Sequence, residues 1–192
     1  MMRGHKAERY DRLSRWLLPW LYRTVAADLA PAAAAAGAVV DVGTGPGRLP
    51  VELARRRPDL RLVGVDPSED MVALGRANAD KAGVADRVSF IAAYAEDLPF
   101  APGTFDLVIS TLSAHHWSDP TRALAELARV LRPGGKLRIY DIRGETLAKL
   151  AAGPLPASIA PSPPQGRRVV GRALSAVVAT LLAEKASDAS PT

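Results

Sequence analysis

The stretch VVDVGTGPG, residues 39–47, decides how the rest of the chain is read. A short β-branched run containing an acid, Asp41, is followed by a turn through Gly43, Gly45 and Gly47, and a helical pattern begins at Arg48. A strand that stops at a turn of bare backbone leaves a shelf on which a ligand can lie against main-chain atoms, because glycine has no Cβ to hold it off. The spacing is GxGxG, which differs from the GxGxxG fingerprint that seats a dinucleotide pyrophosphate on a helix N-terminus. Glycines at such a turn also serve simply to pack a helix closely on a strand. The stretch by itself leaves both readings open.

Outward from the turn, the pattern alternates. Residues 38–42 read as a buried strand and 46–57 as a helix with Leu49 and Leu53 one turn apart. Residues 61–66, RLVGVD, form a second strand whose last residue, Asp66, lies 19 positions beyond Gly47. An acid at that edge can accept both hydroxyls of a ribose. Its other possible duty, capping the next helix, suits Ser68 better. A helix over 68–82 stops at Gly83, and residues 87–91 make a third strand. A turn-rich segment, 93–104, precedes a fourth strand at 105–110. Asp119 and Pro120 supply the N-cap and first position of a helix lined by Leu124, Leu127 and Leu131, which ends at Pro133-Gly134-Gly135. A fifth strand spans 136–142.

Strands alternating with helices predict an α/β, Rossmann-like, doubly wound parallel sheet of about five strands in the order 3-2-1-4-5, with right-handed crossovers. Ligands of such sheets bind outside the carboxyl ends of the strands. The loops at 41–47, 66, 93–97 and 110–116 all follow strand ends and so converge on one crevice.

Composition narrows the class. At 192 residues, 48% hydrophobic and 23% charged, the chain suits one soluble domain. With no cysteine there is neither a disulfide framework nor a thiolate metal site. The histidines are His5, His115 and His116, without an HExxH pattern, so no metal is expected. The formal charge of +5 comes mostly from arginines placed on or at the ends of helices, which is the pattern of solvated faces rather than a nucleic-acid groove. The N-terminus lacks the apolar core of a signal peptide, and the apolar run at 173–183 is about half of a bilayer crossing, so a cytoplasmic location is the expectation.

Residues 7–35 read as helices broken at Pro19, with Leu13, Leu17, Leu21, Val25 and Leu29 on one stripe. This N-terminal unit, 1–36, either packs on the core or closes over the glycine shelf as a lid, with Tyr10, Trp16 and Trp20 as an aromatic wall. The core occupies 37–150. A Pro-rich linker follows over 151–167, and 168–192 holds a C-terminal helix, around 168–185, and a tail.

Taken in combination, DVGTGPG at 41–47, GVDPS at 64–68, AEDLPF at 95–100, FDLVIS at 105–110 and RVLRPGGKL at 129–137 resemble a class I S-adenosylmethionine-dependent methyltransferase of the small-molecule, methyltransferase-domain type. The resemblance runs from about residue 10 to 141. It implies S-adenosyl-L-methionine as cofactor and methyl transfer to a small-molecule acceptor by in-line displacement. Gly43 and Gly45 would lie against the methionine part, with Thr44 and Gly47 in the same turn, and Asp41 would orient the ammonium. Asp66, followed by Pro67, would hold the ribose hydroxyls. Met71 would cover the adenine, and Ala95 with Glu96 or Asp97 would edge it. The carbonyl of Ser110 would face the sulfonium, and Tyr10 would close over the cofactor.

Two departures from the family pattern stand out. Tyr94 takes the place of an acid that can accept from the adenine amino group, which leaves adenine recognition either looser or made by stacking on the tyrosine ring. The family's sixth and seventh strands are not evident after Asp141, leaving the fifth strand as a bare edge to be covered by the C-terminal helix or by a second subunit in a homodimer. Those departures motivate the competing reading, a protein that binds S-adenosylmethionine or S-adenosylhomocysteine as a partner or regulator without transferring a methyl group. A nicotinamide-dependent reductase is a third reading, separable by NAD binding. For a hydroxyl or activated-carbon acceptor a base is needed, and His115 and His116 are the candidates, the alternative being that one of them only packs in its loop.

Overall fold

The computed structural model describes residues 19–34, 37–142, 150, 156–161 and 178–186. Its helices are α1 (Pro19–Leu29), α2 (Arg48–Arg56), α3 (Glu69–Ala82) and α4 (Pro120–Val130), with one 3₁₀ turn at Ala114–His116. The strands are β1 (Ala38–Val42), β2 (Arg61–Asp66), β3 (Val88–Ala92), β4 (Phe105–Thr111), β5 (Leu131–Ile142), β6 (Ile159–Pro161) and β7 (Val178–Lys185). They form one sheet in the order β3-β2-β1-β4-β5-β7-β6.

The five parallel strands follow the expected order, and their pairings bring the carboxyl ends of β1, β2, β3 and β4 to one rim. Central strands buried on both faces must read as near-continuous apolar runs. Hence Val39, Val40, Val42, Leu107, Val108 and Ile109 are all buried. One face of the sheet packs against α1, α2 and α3 through Leu21, Val25, Leu29, Leu49, Leu53 and Val72. The other packs against α4 through Ala123, Leu124 and Leu127.

Local signals set the helix ends. Ser68 Oγ accepts from the Met71 N–H at 3.4 Å to start α3, and Gly83, left-handed at φ 68°, ends it. Asp119 Oδ1 accepts from the N–H groups of Thr121 and Arg122 to start α4. The end of α1 is held by Arg57, whose guanidinium donates to the carbonyls of Ala30, Ala33 and Ala34. Along α1 the side chains of Leu21, Val25 and Leu29 enter the core, whereas Trp20 is 49% exposed. Tyr10 and Trp16 lie outside the described residues.

The C-terminal expectation is corrected. The outer edge of β5 is paired antiparallel with β7, from Lys136 opposite Glu184 to Ile142 opposite Val178, and β6 pairs antiparallel with β7. The sheet therefore has its sixth and seventh strands. Residues 178–185, expected in a C-terminal helix, are strand, and the Pro-rich segment contains a strand at Ile159–Pro161. Val-Ala-Thr-Leu-Leu-Ala reads as helix by propensity, but the unpaired main chain of β5 offers a ladder of hydrogen bonds that outweighs propensities of a few tenths of a kcal/mol per residue. Lys185 fastens the end of β7 by donating from Nζ to the carbonyls of Ala128 and Leu131 at 3.0 and 2.7 Å. With that edge occupied, it is not available for a dimer.

Candidate active site

The strand ends open into a cleft of about 410 Å³ lined by the glycine turn, the β2 end, and the segments after β3 and β4. On the first side, Gly43, Gly45 and Gly47 all have left-handed backbones, at φ 74°, 53° and 70°. They do different work. Gly43 and Gly45 line the cleft, and a Cβ on Gly43 would come within 2.2 Å of Ser113 Oγ. Gly47 is outside the cleft lining, and a Cβ there would meet the Phe90 ring at 2.4 Å. Gly64 and Gly75 press on the same ring.

Asp66 lies at the junction of the two turns. Its Oδ2 accepts from the Gly45 N–H at 2.8 Å and its Oδ1 from the Ser68 N–H at 3.0 Å. Each oxygen keeps a further lone pair for a ligand. Burial raises its pKa, opposed by those two N–H groups and by the nearby His116. Asp41 is 3% exposed and sits behind the turn, where Thr44 Oγ1 donates to its Oδ2 at 2.7 Å. Its Oδ1 is buried without a hydrogen-bond partner among the described residues. Desolvation raises its pKa to about 7, the Thr44 hydrogen bond opposing and the Asp66 charge adding to the rise.

On the opposite side the chain leaves β4 through Leu112, a non-glycine residue at φ 54°, and enters the 3₁₀ turn bearing both histidines. Such a backbone costs on the order of 1 kcal/mol or more and persists only where the surroundings over-determine it. Here the Leu112 N–H donates to the Tyr140 carbonyl at 2.7 Å, and Ser113 Oγ donates to the Val42 carbonyl at 3.0 Å and accepts from Ser110 Oγ at 2.7 Å. His116 lines the cleft. His115 lies behind it, its Nδ1 at 2.7 Å from Asp141 Oδ1 and its main-chain N–H donating to Asp141 Oδ2 at 3.0 Å. The two imidazoles are 4.0 Å apart between centroids. Burial and the neighbouring His115 lower the His116 pKa, with Asp141 and Asp66 opposing.

Of the residues expected at the site, Gly43, Gly45, Asp66, Pro67, Met71, Tyr94, Ala95, Glu96 and His116 line one cleft. Asp41, Thr44, Gly47, Ser110 and His115 do not line it, and Tyr10 lies outside the described residues. Tyr94 is 62% exposed, an open ring face at the rim. Leu112 and Ser113 fall within the 110–116 loop expected at the crevice without being singled out, and Trp117, Ser118 and the buried Asp141 lie beyond that expectation. Ser113 is identifiable only from its three-dimensional contact with Gly43; Asp141 had a signal, an acid at the end of an apolar strand on the ligand rim.

Residues 40–139 match the family model of the methyltransferase domain. The chain belongs to that family, the class I S-adenosylmethionine-dependent methyltransferases. It is 39% identical over 140 residues to a demethylmenaquinone methyltransferase of Thermus thermophilus, covering 70% of this chain and 61% of that protein. It spans about half the length of the curated relatives it matches. Among solved structures, a candidate S-adenosyl-L-methionine-dependent methyltransferase of Methanococcus maripaludis aligns with TM-score 0.67 at 27% identity, covering 72% of this chain and 66% of that one. A methyltransferase of Aquifex aeolicus aligns with TM-score 0.68 over 96% of this chain and 100% of its own, at 22% identity, a likeness of fold alone. Family membership replaces the nicotinamide reading, and the two additional strands remove the main motive for a binder without transfer.

S-adenosyl-L-methionine is the cofactor of this family, and the site fits it on three counts. The shelf at Gly43 and Gly45 has no Cβ, Asp66 can accept a diol, and Asp41 has a buried oxygen with no hydrogen-bond partner among the described residues.

Proposed function

We propose that the protein transfers a methyl group from S-adenosyl-L-methionine to a small acceptor held in the same cleft. The observation that carries this reading is the pair of hydrogen bonds from the Gly45 and Ser68 N–H groups to Asp66, which aim one carboxylate across the glycine shelf. Gly43 and Gly45 would bear the methionine portion, Asp66 the ribose hydroxyls, Met71 and Ala95 the adenine, and Tyr94 would stack on its exposed face. Asp41 would orient the ammonium, accepting its hydrogen bond directly or acting through the loop. When bound, the cofactor supplies a carbon activated by positive sulfur. The protein's part is alignment of donor and acceptor, which can be worth about 7–11 kcal/mol.

His116 faces the cleft, and its lowered pKa leaves it neutral at pH 7, the form a general base requires. His115 supports it. Asp141 accepting from Nδ1 and from the main-chain N–H of His115 fixes that ring against His116. This pair would be idle for an amine that arrives unprotonated and necessary for a hydroxyl or carbon acid. No lysine or arginine lines the cleft among the described residues, which favours an uncharged acceptor.

The test is transfer of a labelled methyl group to a panel of neutral phenols, quinols, including a naphthoquinol suggested by the Thermus relative's name, and amines, each beside an anionic analogue. Product with a neutral hydroxyl or carbon acceptor, and a rate that holds at neutral pH and falls only below the ordinary imidazole range, is the expected result. Tight S-adenosylhomocysteine binding with no labelled product across the panel would favour a binding protein.

A further inference from the structure

Three donors from the segment after β4 converge on a single oxygen from the segment after β3. Glu96 Oε1 accepts from the Ser118 N–H at 2.8 Å, the Ser118 hydroxyl at 3.0 Å and the Asp119 N–H at 3.1 Å. Glu96 belongs to the segment after β3, beside Tyr94 and Ala95 on the cleft wall. Ser118 and Asp119 continue the segment that carries His116 and Trp117 along the same cleft, and Asp119 caps α4. Burial pushes the Glu96 carboxyl up, but the Asp119 and Ser118 donors outweigh it and hold the group below the usual carboxylate range.

The rest of the segment after β3 is fastened by other means. Glu126 Oε2 accepts from the Leu98 N–H at 2.9 Å, and Arg129 donates to the carbonyls of Leu98 and Phe100 at 2.9 and 2.7 Å. Removing Glu96 would therefore leave that segment seated on α4 while releasing its part nearest the cleft. Two of the three donors are main-chain N–H groups, so their partner can be removed only at position 96.

We propose that Glu96 is a positioning residue that ties the wall against which the cofactor's base would rest to the His116–Asp119 segment, so that filling the first sets the second. The proposal rests on the methyltransferase reading. It assigns Glu96 to the loop that bears the base rather than to the adenine edge, and it makes cofactor binding the step that readies the acceptor side. Donor-first ordered kinetics follow.

The experiment compares wild type with Glu96→Ala and Glu96→Gln, since glutamine keeps a carbonyl oxygen that can accept the same three donors without the charge. Amide exchange is followed residue by residue, without ligand and with S-adenosylhomocysteine. Without ligand, E96A should speed exchange at Ser118 and Asp119 by about tenfold or more, the scale of a lost hydrogen bond to a charged group, and E96Q should restore most of the protection. With S-adenosylhomocysteine, protection should spread from 93–97 to 116–119 in wild type and E96Q but stop at the first segment in E96A. In turnover, E96A should lower kcat and leave the KM for the methyl donor nearly unchanged.

Unchanged exchange at Ser118 and Asp119 in ligand-free E96A would overturn the proposal. So would equal spread of protection in E96A, or a loss confined to S-adenosylhomocysteine affinity, which would make Glu96 a direct cofactor contact. If wild type fails to bind S-adenosylhomocysteine, the methyltransferase reading fails separately, and the ligand-free comparison still decides whether the tie exists.

Discussion

The two sides of the cleft are held by different chemistry. The side formed by β1 and β2 is shaped by main chain: left-handed glycines, and an Asp66 carboxylate steadied by two backbone N–H groups. The side formed after β3 and β4 is shaped by side chains, with Asp141 holding His115, Ser113 holding the end of β1, and Glu96 holding the approach to α4. Main-chain geometry changes little when side chains are exchanged, so the first side is suited to a constant donor. The stretch after β4 on the second side can be reshaped by single substitutions and is suited to a particular acceptor.

That division can be broken most forcefully at His116. Replacing it with Ala should lower kcat for a hydroxyl acceptor by about 10²–10⁴, the range for general-base catalysis, while calorimetry gives an unchanged affinity for S-adenosylhomocysteine. A parallel loss of affinity would merge the two sides into one. Gly43→Ala comes next, because it forces a Cβ into Ser113 from a left-handed backbone. Strain and overpacking together should remove about 3 kcal/mol of stability by denaturant titration, and the damage should reach both sides because Gly43 packs directly on Ser113. Asp66→Ala should weaken S-adenosylhomocysteine binding by about 10- to 100-fold, the value of charge-assisted hydrogen bonds, with the acceptor KM unaffected.

A further test is stability against pH in the ligand-free protein. The Asp41 carboxyl, raised to about 7, and the Asp66 carboxyl, also raised, bind protons in the folded state at pH values where the unfolded chain has released them. Stability therefore falls as pH rises from the ordinary carboxylate range toward 7. The urea midpoint should drop between pH 5 and pH 7.5, and Asp41→Asn should flatten most of the slope. An upward slope would mean that Asp41 is ionised and satisfied without the cofactor.

The first side of the cleft was legible in the chain itself. Strand, glycine turn, helix and terminal acid are local signals, and they placed Gly43, Gly45 and Asp66 correctly on a common rim. The histidines were visible as a pair, but nothing in their spacing distinguished His116, which faces the cleft, from His115, which faces Asp141 26 residues away. The family resemblance puts Glu96 or Asp97 at the adenine edge; the three donors that Glu96 accepts from come from 22 and 23 residues downstream. The last two strands were missed for another reason. Their residues favour helix or are interrupted by proline, and they become strands because β5 presents an open edge, a requirement of the assembled sheet that no local window contains.

The aromatic ring at position 90 imposes its own demand on the GxGxG spacing. Gly47, Gly64 and Gly75 come from three different elements, yet each is small because the 2% exposed Phe90 fills the space between them. The third glycine of the turn is thus a cast of this ring rather than of any nucleoside. Retuning the turn for another cofactor would have to begin by shrinking residue 90, on a strand at the far edge of the sheet.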